Sequence, residues 1–244
     1  MDVRVYKTAR EMGAAAAAEL AAEIRRLIAE RGRAVGLFAS APSQQDTWDA
    51  LLQQAGVDWS RVTAFHLDEY LGFDETHPQS LRRFLLLHFL SRLPIGAFHG
   101  LRGEASDPAA ECERYARLLA GDPPDFGLIG IGENGHLAFN DPHAADFDDP
   151  SAVKVVELDE ECRRQQVHDG AFATLDETPT RAITLTLPRI MSAGRIFTVV
   201  PGSRKRAAVG AALHGPVCAA CPASILRTHA QACLFLDAES ASRR

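Results

Sequence analysis

Hydrophobic and polar positions follow two alternating patterns along this chain. Short, mostly apolar runs are typical of strands buried on both faces. Such runs predict strands at residues 34–39, 62–67, 126–131, 182–187, 196–200 and 232–236. Segments with high helix propensity, or with apolar residues three and four apart, lie between them. They predict helices at residues 14–31, 47–54, 80–93 and 108–120, and shorter ones after Pro188 and after Ser203.

The alternation of strand and helix extends over the whole chain and predicts an α/β fold. Such repetition indicates a mostly parallel central sheet with helices on both faces, a Rossmann-like architecture. No low-complexity linker divides the sequence, so we expect a single domain over residues 1–244. One long irregular segment, residues 140–151, is rich in Asp and Pro and is expected to be a functional or mobile loop.

Composition and charge exclude several classes of protein. The 244 residues carry 26 Lys and Arg against 32 Asp and Glu, a formal net charge of −6, whereas nucleic-acid-binding proteins usually carry a basic surface. No run of about 18 apolar residues occurs, so no membrane-spanning helix is expected. The N-terminal segment lacks the basic and apolar regions of a secretory signal, and we therefore expect a cytoplasmic protein.

Five scattered cysteines fit reduced thiols better than a disulfide framework. Cys218 and Cys221 form a CxxC pair. A zinc site would need further ligands, and neither a second CxxC nor an HxxxH occurs in the sequence. A redox pair would open a helix after a strand, whereas this pair is followed by Pro222. We interpret both cysteines as small buried residues, with redox or metal chemistry as the alternative.

Polar side chains cluster where the predicted strands end. In an open parallel sheet, ligands bind beyond the carboxyl ends of the strands. Four loops occupy that position here, at residues 40–43, 68–72, 130–136 and 201–205. Together they bring carboxylates, an imidazole, hydroxyl groups and an ammonium group to one edge of the sheet. This clustering is a stronger indication of a ligand site than any single motif.

Gly130, Gly132 and Gly135 form a GxGxxG pattern after a predicted strand. In a dinucleotide site a helix begins at this pattern, and an acidic residue ends a second strand about 20 residues further on. Here the chain continues through His136 to Pro142, with more Asp and Pro beyond. We therefore expect no nicotinamide cofactor, and we interpret the glycines as residues that let the backbone turn sharply and approach a small ligand.

Three side chains in these loops suit catalysis or binding. His136 carries an imidazole, a side chain that suits general acid–base catalysis, and Asp141 is near enough in sequence to fix its tautomer; alternatively it is a loop histidine bonded to backbone. Asp68, if partly buried, could take a proton from carbon next to a carbonyl; alternatively it forms a solvated acidic turn with Glu69. Lys205, near a helix start, could hold a phosphate; alternatively it is a surface lysine.

Several segments resemble the glucosamine-6-phosphate deaminase (isomerase) family. They lie at residues 65–72, 77–80, 130–142, 201–205 and 215–226, and they include the sequences DEYLG and GHLAFN. The resemblance covers nearly the whole chain in order. It implies the fold of that family, which the family shares with 6-phosphogluconolactonases.

The resemblance also implies an activity and roles for individual residues. The family converts glucosamine 6-phosphate to fructose 6-phosphate and ammonia without a cofactor. By resemblance, His136 assists opening of the sugar ring and Asp68 moves a proton between C2 and C1. Asp141 stands where the family usually has Glu and supports the histidine, and Asn134 stands where the family usually has Asp. The residues expected to bind the sugar phosphate are Ser40, Ala41, Ser43, Glu69, Gly135 and Lys205.

The chain departs from the family pattern at three places. Asn134 cannot accept a proton, so any relay through it is interrupted. The loop at residues 38–43 lacks the Gly-Gly-Thr phosphate cradle, although its two serines are either phosphate ligands or turn residues. Residues 169–172 lack an arginine that the family uses on phosphate. The candidates to replace that arginine are Arg163, Arg164 and Arg227.

These departures keep two other functions open. In a lactonase-type hydrolase for a sugar-acid phosphate, His136 would act on water or on the leaving oxygen, and no proton would move at carbon. A non-catalytic sugar-phosphate sensor would bind without turnover. We favour the deaminase, because only isomerase chemistry gives the Asp68 carboxylate an evident role. We expect a small sugar phosphate as partner and no metal, cofactor, nucleic acid or membrane; assembly into homo-oligomers is left open.

Overall fold

A computed structural model describes residues 1–241 of the chain. Within this range the strands are β1 (Asp2–Tyr6), β2 (Ala34–Phe38), β3 (Val62–His66), β4 (Asp68–Tyr70), β5 (Ala97–His99), β6 (Phe126–Ile129), β7 (Val153–Glu157), β8 (Arg181–Leu185), β9 (Arg195–Val200) and β10 (Ala232–Asp237). The α-helices are α1 (Ala9–Arg31), α2 (Gln45–Leu51), α3 (Leu81–His88), α4 (Pro108–Gly121), α5 (Glu160–His168), α6 (Leu187–Met191) and α7 (Arg206–His214). Short 3-10 helices include Pro42–Gln44, Ser203–Lys205 and Pro222–Thr228.

Seven strands form one sheet in the order β1-β10-β9-β6-β2-β3-β5, and every neighbouring pair is parallel. The predicted α/β fold with a mostly parallel central sheet is confirmed. Successive side chains of a strand point to opposite faces. Val35 and Leu37 of β2 accordingly pack into the core on one face, whereas Ala34 and Phe38 pack into the core on the other. Because both faces are covered, β2 and β6 carry no polar side chain at any position.

Helices cover both faces of this sheet, as predicted. α1, α2 and α3 bury apolar side chains such as Leu20 and Trp48 against one face. α4, α6 and α7 bury side chains such as Tyr115 and Val209 against the other. None of the helices in the described range combines the length and the apolar character that crossing a membrane requires.

A second sheet of three antiparallel strands has the order β4-β8-β7. Two sequence-based expectations are wrong here. Residues 182–187, expected in the central sheet, and residues 68–72, expected as a loop, instead contribute β8 and β4. An apolar run is buried whichever sheet it joins, so its composition does not identify its partner strand. β4 is polar in sequence, yet contacts distant along the chain bury all three of its residues.

Four elements have no counterpart in the sequence-based prediction. β1 is an edge strand with mostly exposed residues and β5 has three residues, so neither presents an apolar run. β7 follows the segment at residues 140–151, which is irregular as predicted. α5 is mostly polar. Its start is marked in the sequence by Asp159, whose carboxylate accepts a hydrogen bond from the Cys162 N–H, and by Glu160 and Glu161 in the first turn.

Candidate active site

A cavity of about 200 Å³ lies beyond the carboxyl ends of β2, β3, β6 and β9. This is the edge of the sheet at which the sequence predicts the site. The predicted site residues that line the cavity are Ser40, Ala41, Ser43, Asp68, His136 and Lys205. The others, Glu69, Asn134, Gly135 and Asp141, do not line it. The expected acid, imidazole and ammonium group therefore share one cavity.

Asp68 is the first residue of β4 and follows β3 after a single residue, Leu67. It lines the cavity but is only 8% exposed. No donor within residues 1–241 hydrogen-bonds its carboxylate, so nothing in that range compensates the charge. Burial, with a smaller effect from the Glu69 carboxylate, raises the pKa of Asp68 from 3.8 to about 8. A carboxylate with this pKa is basic enough to take a proton from carbon next to a carbonyl.

Glu69 was expected to bind the substrate, but its side chain turns away from the cavity to the start of α3. Its carboxylate accepts hydrogen bonds from the Ser80 hydroxyl (2.7 Å), the Leu81 N–H (3.0 Å) and the Arg82 N–H (2.9 Å). These bonds satisfy N–H groups that a helix start leaves without partners. Glu69 therefore fixes α3 and, with it, the cavity wall at residues 78–79.

His136 is held from behind by Asp141, which is fully buried. The imidazole Nδ1 lies 3.1 Å from Asp141 Oδ1, although the angle at Nδ1 is not that of a well-aligned hydrogen bond. Burial alone would raise the pKa of Asp141, but hydrogen bonds and charge from His136 and Asn134 outweigh burial and lower it. An ionised carboxylate in this position orients the ring and stabilises its protonated form. Although Asp is one methylene shorter than the family's usual Glu, it reaches the histidine.

Asn134 does not line the cavity and contacts Asp141 instead. Its amide nitrogen donates to Asp141 Oδ1 (3.1 Å) and to Asp159 Oδ2 (3.2 Å). Its carbonyl oxygen accepts from the His136 N–H (3.0 Å). An amide side chain offers both the donors for two carboxylates and the acceptor for a backbone N–H. Asn134 therefore supports the histidine and its carboxylate.

Two positions of the GxGxxG pattern, 132 and 135, require glycine for different structural reasons. A Cβ atom at Gly132 would lie 2.2 Å from His136 Nε2, so this position must be glycine for the imidazole to lie over the loop. Gly135 has φ +87°, where a residue with a side chain is strained, and it turns the chain into His136. Gly135 was expected to contact the substrate, but a Cβ there would instead meet Cys221 Sγ at 2.9 Å. No helix begins at the pattern, which agrees with the absence of a dinucleotide fingerprint.

Two further groups of the cavity lining are suited to an anion, and we call them the anion end. Lys205 ends a 3-10 helix after β9 and is 7% exposed. No carboxylate in residues 1–241 lies within ion-pair distance of its ammonium group, and burial lowers its pKa even though Asp169 and Glu133 act in the opposite direction. Ser40 lines the same cavity, and its buried hydroxyl has no hydrogen-bond partner in the described range. A bound phosphate would supply partners to both groups.

The arginines proposed to replace the family's phosphate ligand do not reach this cavity. Arg163 donates to the carbonyls of residues 175 and 178, Arg164 pairs with Glu160 at the surface, and Arg227 donates to the carbonyls of residues 213 and 215. Among the described residues that line the cavity, Lys205 is the only lysine or arginine.

Sequence reasoning missed one wall of the cavity. This wall comes from α5 and the turn after it, and it comprises Gln165, Gln166, Asp169, Gly170 and Ala171. Asp169 is paired with Arg204 at 2.8 Å, and Gln165 accepts a hydrogen bond from the Glu133 N–H at 2.7 Å. Both contacts join this wall to the neighbouring loops. The N-cap at Asp159 would have revealed the helix but not its position over the site.

The CxxC pair lies on a turn in which the Cys221 N–H bonds the Cys218 carbonyl at 3.1 Å. Both thiols are free; Cys221 is buried, as interpreted, whereas Cys218 is only half-buried. The turn is attached to the glycine loop, because the Ala223 N–H donates to the Gly135 carbonyl at 2.8 Å. Cys221 therefore packs against the loop that carries His136.

Comparisons with known proteins identify the family of the chain. The sequence model of the family described as "Glucosamine-6-phosphate isomerases/6-phosphogluconolactonase" matches residues 7–235. A protein of Arthrobacter sp. (strain FB24) named glucosamine-6-phosphate deaminase is 34% identical over 248 residues, covering 99% of this chain and 92% of the relative. Another of that name, from Exiguobacterium sp., is 39% identical over 193 residues, covering 79% of this chain and 74% of the relative.

Solved structures show the same likeness. A monomeric glucosamine-6-phosphate deaminase superposes with a TM-score of 0.89 at 30% identity, covering 98% of both chains. A 6-phosphogluconolactonase from Trypanosoma brucei superposes with a TM-score of 0.79 at 19% identity, covering 98% of this chain and 97% of that one, which supports the shared fold alone. The chain belongs to the family of glucosamine-6-phosphate isomerases and 6-phosphogluconolactonases.

Proposed function

We propose that this chain converts glucosamine 6-phosphate to fructose 6-phosphate and ammonia in the cavity described above. The relatives named glucosamine-6-phosphate deaminase support this substrate and this reaction. The observation that carries the proposal is that Asp68, His136 and Lys205 line one cavity. The Asp68 carboxylate can act as the base in proton transfer at carbon, and the His136 imidazole can transfer protons during ring opening. The Lys205 ammonium group can bind the phosphate.

Binding begins at the anion end. Lys205 and the Ser40 hydroxyl hold the phosphate, and each gains the partner that it lacks in residues 1–241. Because the bond between ammonium and phosphate is charge-assisted and directional, it orients the rest of the sugar toward His136 and Asp68. The phosphate itself takes no part in the chemistry.

His136 opens the sugar ring. With Nδ1 held 3.1 Å from the Asp141 carboxylate, Nε2 is the nitrogen available to the substrate. The imidazole takes the proton of the O1 hydroxyl and delivers a proton to O5 while the C1–O5 bond breaks, which gives the open-chain aldehyde. Asp141 stabilises the imidazolium formed between these two transfers.

Asp68 then moves a proton between two carbons. Its carboxylate takes the proton from C2, the aldehyde oxygen takes a proton from solvent, and an enolamine with a C1–C2 double bond forms. Return of the C2 proton to C1 gives an iminium ion at C2. Water adds to C2 and releases a proton to solvent, and ammonia then leaves, so one water is consumed, one ammonia is released and nothing is oxidised. The raised pKa of Asp68, about 8, suits both the removal and the return of this proton.

The experiment follows ammonia and deuterium together. We expect the wild-type protein to release ammonia and fructose 6-phosphate in equal amounts from glucosamine 6-phosphate, and in heavy water to incorporate deuterium at C1. Asp68→Asn should abolish both signals. Asp169→Asn is the matched control, because Asp169 is a second carboxylate of the cavity that is already paired with Arg204.

Three outcomes would contradict the proposal. Failure of the wild type to release ammonia from any amino-sugar phosphate removes the deaminase function. Hydrolysis of 6-phosphogluconolactone without deuterium at carbon would indicate a lactonase. Tight binding of the sugar phosphate without turnover would indicate a sensor.

A further inference from the structure

Behind His136, on the side away from the cavity, three different ligand types lie together. His136 Nδ1, a carboxylate oxygen of Asp141 and Cys162 Sγ all lie within 4.8 Å of one another. Each of these residues is buried; Cys162 is 1% exposed and Asp141 is fully buried. The proposed reaction uses the imidazole and the carboxylate, but it gives the thiol no role.

This donor set matches the ligand preferences of zinc. Zn²⁺ is bound in proteins by thiolate, imidazole and carboxylate groups, at about 2.3 Å from sulfur and about 2.0–2.2 Å from nitrogen and oxygen. Two such ligands around a tetrahedral metal are about 3.3 to 3.8 Å apart. The His136 Nδ1–Asp141 Oδ1 distance of 3.1 Å is close to that range, and Cys162 Sγ lies within 4.8 Å of both groups, so the side chains would have to move inward to bind one ion.

A second observation comes from the imidazole itself. His136 Nδ1 is shielded from solvent, and its contact with Asp141 Oδ1 at 3.1 Å does not meet the geometry of a hydrogen bond. A metal ion would bind both atoms in place of this imperfect contact. The Cys162 backbone is anchored beside the imidazole, because its N–H donates to the Asp159 carboxylate at 2.6 Å at the start of α5. The three ligand groups therefore lie close together without a metal ion.

We propose that His136, Asp141 and Cys162 form an inhibitory zinc site behind the active site. On binding, the Cys162 thiol loses its proton to solvent, a bond forms between Zn²⁺ and sulfur, and Nδ1 and Asp141 coordinate the ion, with water at the fourth position. No electron is transferred. The ion separates Asp141 from the imidazole and fixes His136 in one protonation state, so the histidine cannot carry protons between O1 and O5. The inhibition rests on the proposed deaminase function, whereas metal binding does not.

The competing thiols in this chain are Cys218 and Cys221. A CxxC pair on a turn also attracts Zn²⁺, and Cys218 is half-buried rather than buried. Loss of zinc sensitivity on removal of Cys218 would therefore point to the CxxC pair and not to the cluster behind His136. Cys218→Ala is thus the matched control for Cys162→Ala.

The first readout is independent of turnover. Full-length protein is titrated with Co²⁺, which takes zinc sites and gives an absorption band when a thiolate coordinates it. We expect this band in the wild type and in Cys218→Ala, and we expect its loss in Cys162→Ala. Cys162→Ser, which keeps the size of the side chain, is the second variant in case the alanine variant does not fold.

The second readout is inhibition of ammonia release by Zn²⁺ and its reversal by a chelator. Removing Cys162 should weaken inhibition by Zn²⁺ by at least about ten- to hundredfold. Loss of a residue that only hydrogen-bonds to a metal ligand already lowers metal affinity by that factor, and Cys162 would bind the metal itself. Activity without metal should be retained in Cys162→Ser, because the serine hydroxyl can keep the hydrogen bond that the thiol makes to Asp141. Equal inhibition of the wild type and both Cys162 variants, or a cobalt band that survives their substitution, would overturn the proposal. A protein that binds Co²⁺ through Cys162 but releases no ammonia would refute the deaminase function and leave the metal site standing.

Discussion

Replacement of Asp68 with Asn keeps the shape of the side chain and removes its titration. In the folded protein the pKa of Asp68 is raised by burial from 3.8 to about 8. A difference of this size corresponds to at most about 5 to 6 kcal/mol, at roughly 1.4 kcal/mol for each pH unit that separates the two pKa values. Asp68 therefore makes the folded state less stable at alkaline pH, and the cost is large compared with the net stability of a typical domain.

The direction in which the free energy of unfolding changes with pH follows from proton binding to Asp68. Between pH 3.8 and about 8 the folded protein keeps the Asp68 proton that the unfolded chain has released. The contribution of Asp68 to the free energy of unfolding therefore falls as the pH rises through this window and levels off above it. Asn has no proton to lose. The stability advantage of Asp68→Asn over the wild type should be small near pH 4 and reach several kcal/mol above about pH 8.

The measurement is denaturant unfolding of both proteins at several values of pH, combined with steady-state kinetics. Loss of the base should lower kcat by about 10²- to 10⁴-fold. In the wild type, kcat/KM should rise with pH up to about 8, because only the ionised Asp68 can accept the C2 proton. A variant that gains no stability at alkaline pH, or that keeps its activity, would refute this account of Asp68. Asp169→Asn should leave both pH profiles unchanged.

Three further predictions concern the histidine and the anion end. Gly132→Ala should displace the His136 imidazole, because the added Cβ would lie 2.2 Å from Nε2; kcat/KM should fall by about 10²-fold with the fold intact by circular dichroism. Lys205→Met should raise KM by about 10- to 100-fold, the loss expected for a hydrogen bond to a charged group, in steady-state assays with the phosphorylated sugar. Asn134→Asp should lower the free energy of unfolding by about 1 to 3 kcal/mol near pH 7, because the hydrogen bonds to two carboxylates, including Asp141 at 3.1 Å, become charge repulsions. Chemical denaturation should show that this lost stability returns as the pH falls.

The predictions for Gly132 and Lys205 each have a control in the same part of the chain. Gly127→Ala, for which the nearest atom would lie at 3.6 Å, should leave activity unchanged. Arg206→Met removes an exposed cation next to Lys205 and should not change KM. Wild-type activity in Gly132→Ala, an unchanged KM in Lys205→Met, or full stability of Asn134→Asp at pH 7 would each contradict the role given to that residue.

The central sheet could be predicted from the sequence because burial on both faces leaves a continuous apolar run. β2 shows this, since Val35 and Leu37 face one core and Ala34 and Phe38 face the other. The small antiparallel sheet could not be predicted in the same way. Its strand β4 consists of Asp, Glu and Tyr, and only pairing with β8 and contacts from distant elements bury them.

The residues of the candidate site likewise include some that the sequence predicts and some that it does not. Asp68, His136 and Lys205 could be found because each follows a recognisable strand, and the carboxyl ends of parallel strands meet at one edge. The structural roles of Glu69 and Asn134 could not be predicted from the sequence, because they depend on which groups contact these side chains in the folded protein. Glu69 meets the start of α3, and Asn134 meets two carboxylates and a backbone N–H.

Groups without partners support the proposal that the cavity binds a ligand and is not a packing defect. In a folded protein, buried polar groups are almost always hydrogen-bonded or paired. Here the Asp68 carboxylate, the Lys205 ammonium group and the Ser40 hydroxyl lack protein partners within residues 1–241, and all three line the same cavity. Their unmet requirements are complementary to one molecule, since a sugar phosphate brings a carbon-bound proton to the carboxylate and an anion to the other two. These unpartnered groups lower the stability of the free protein, and we expect substrate binding to offset that loss. The Asp68→Asn experiment measures directly how much stability is given up for activity at one of them.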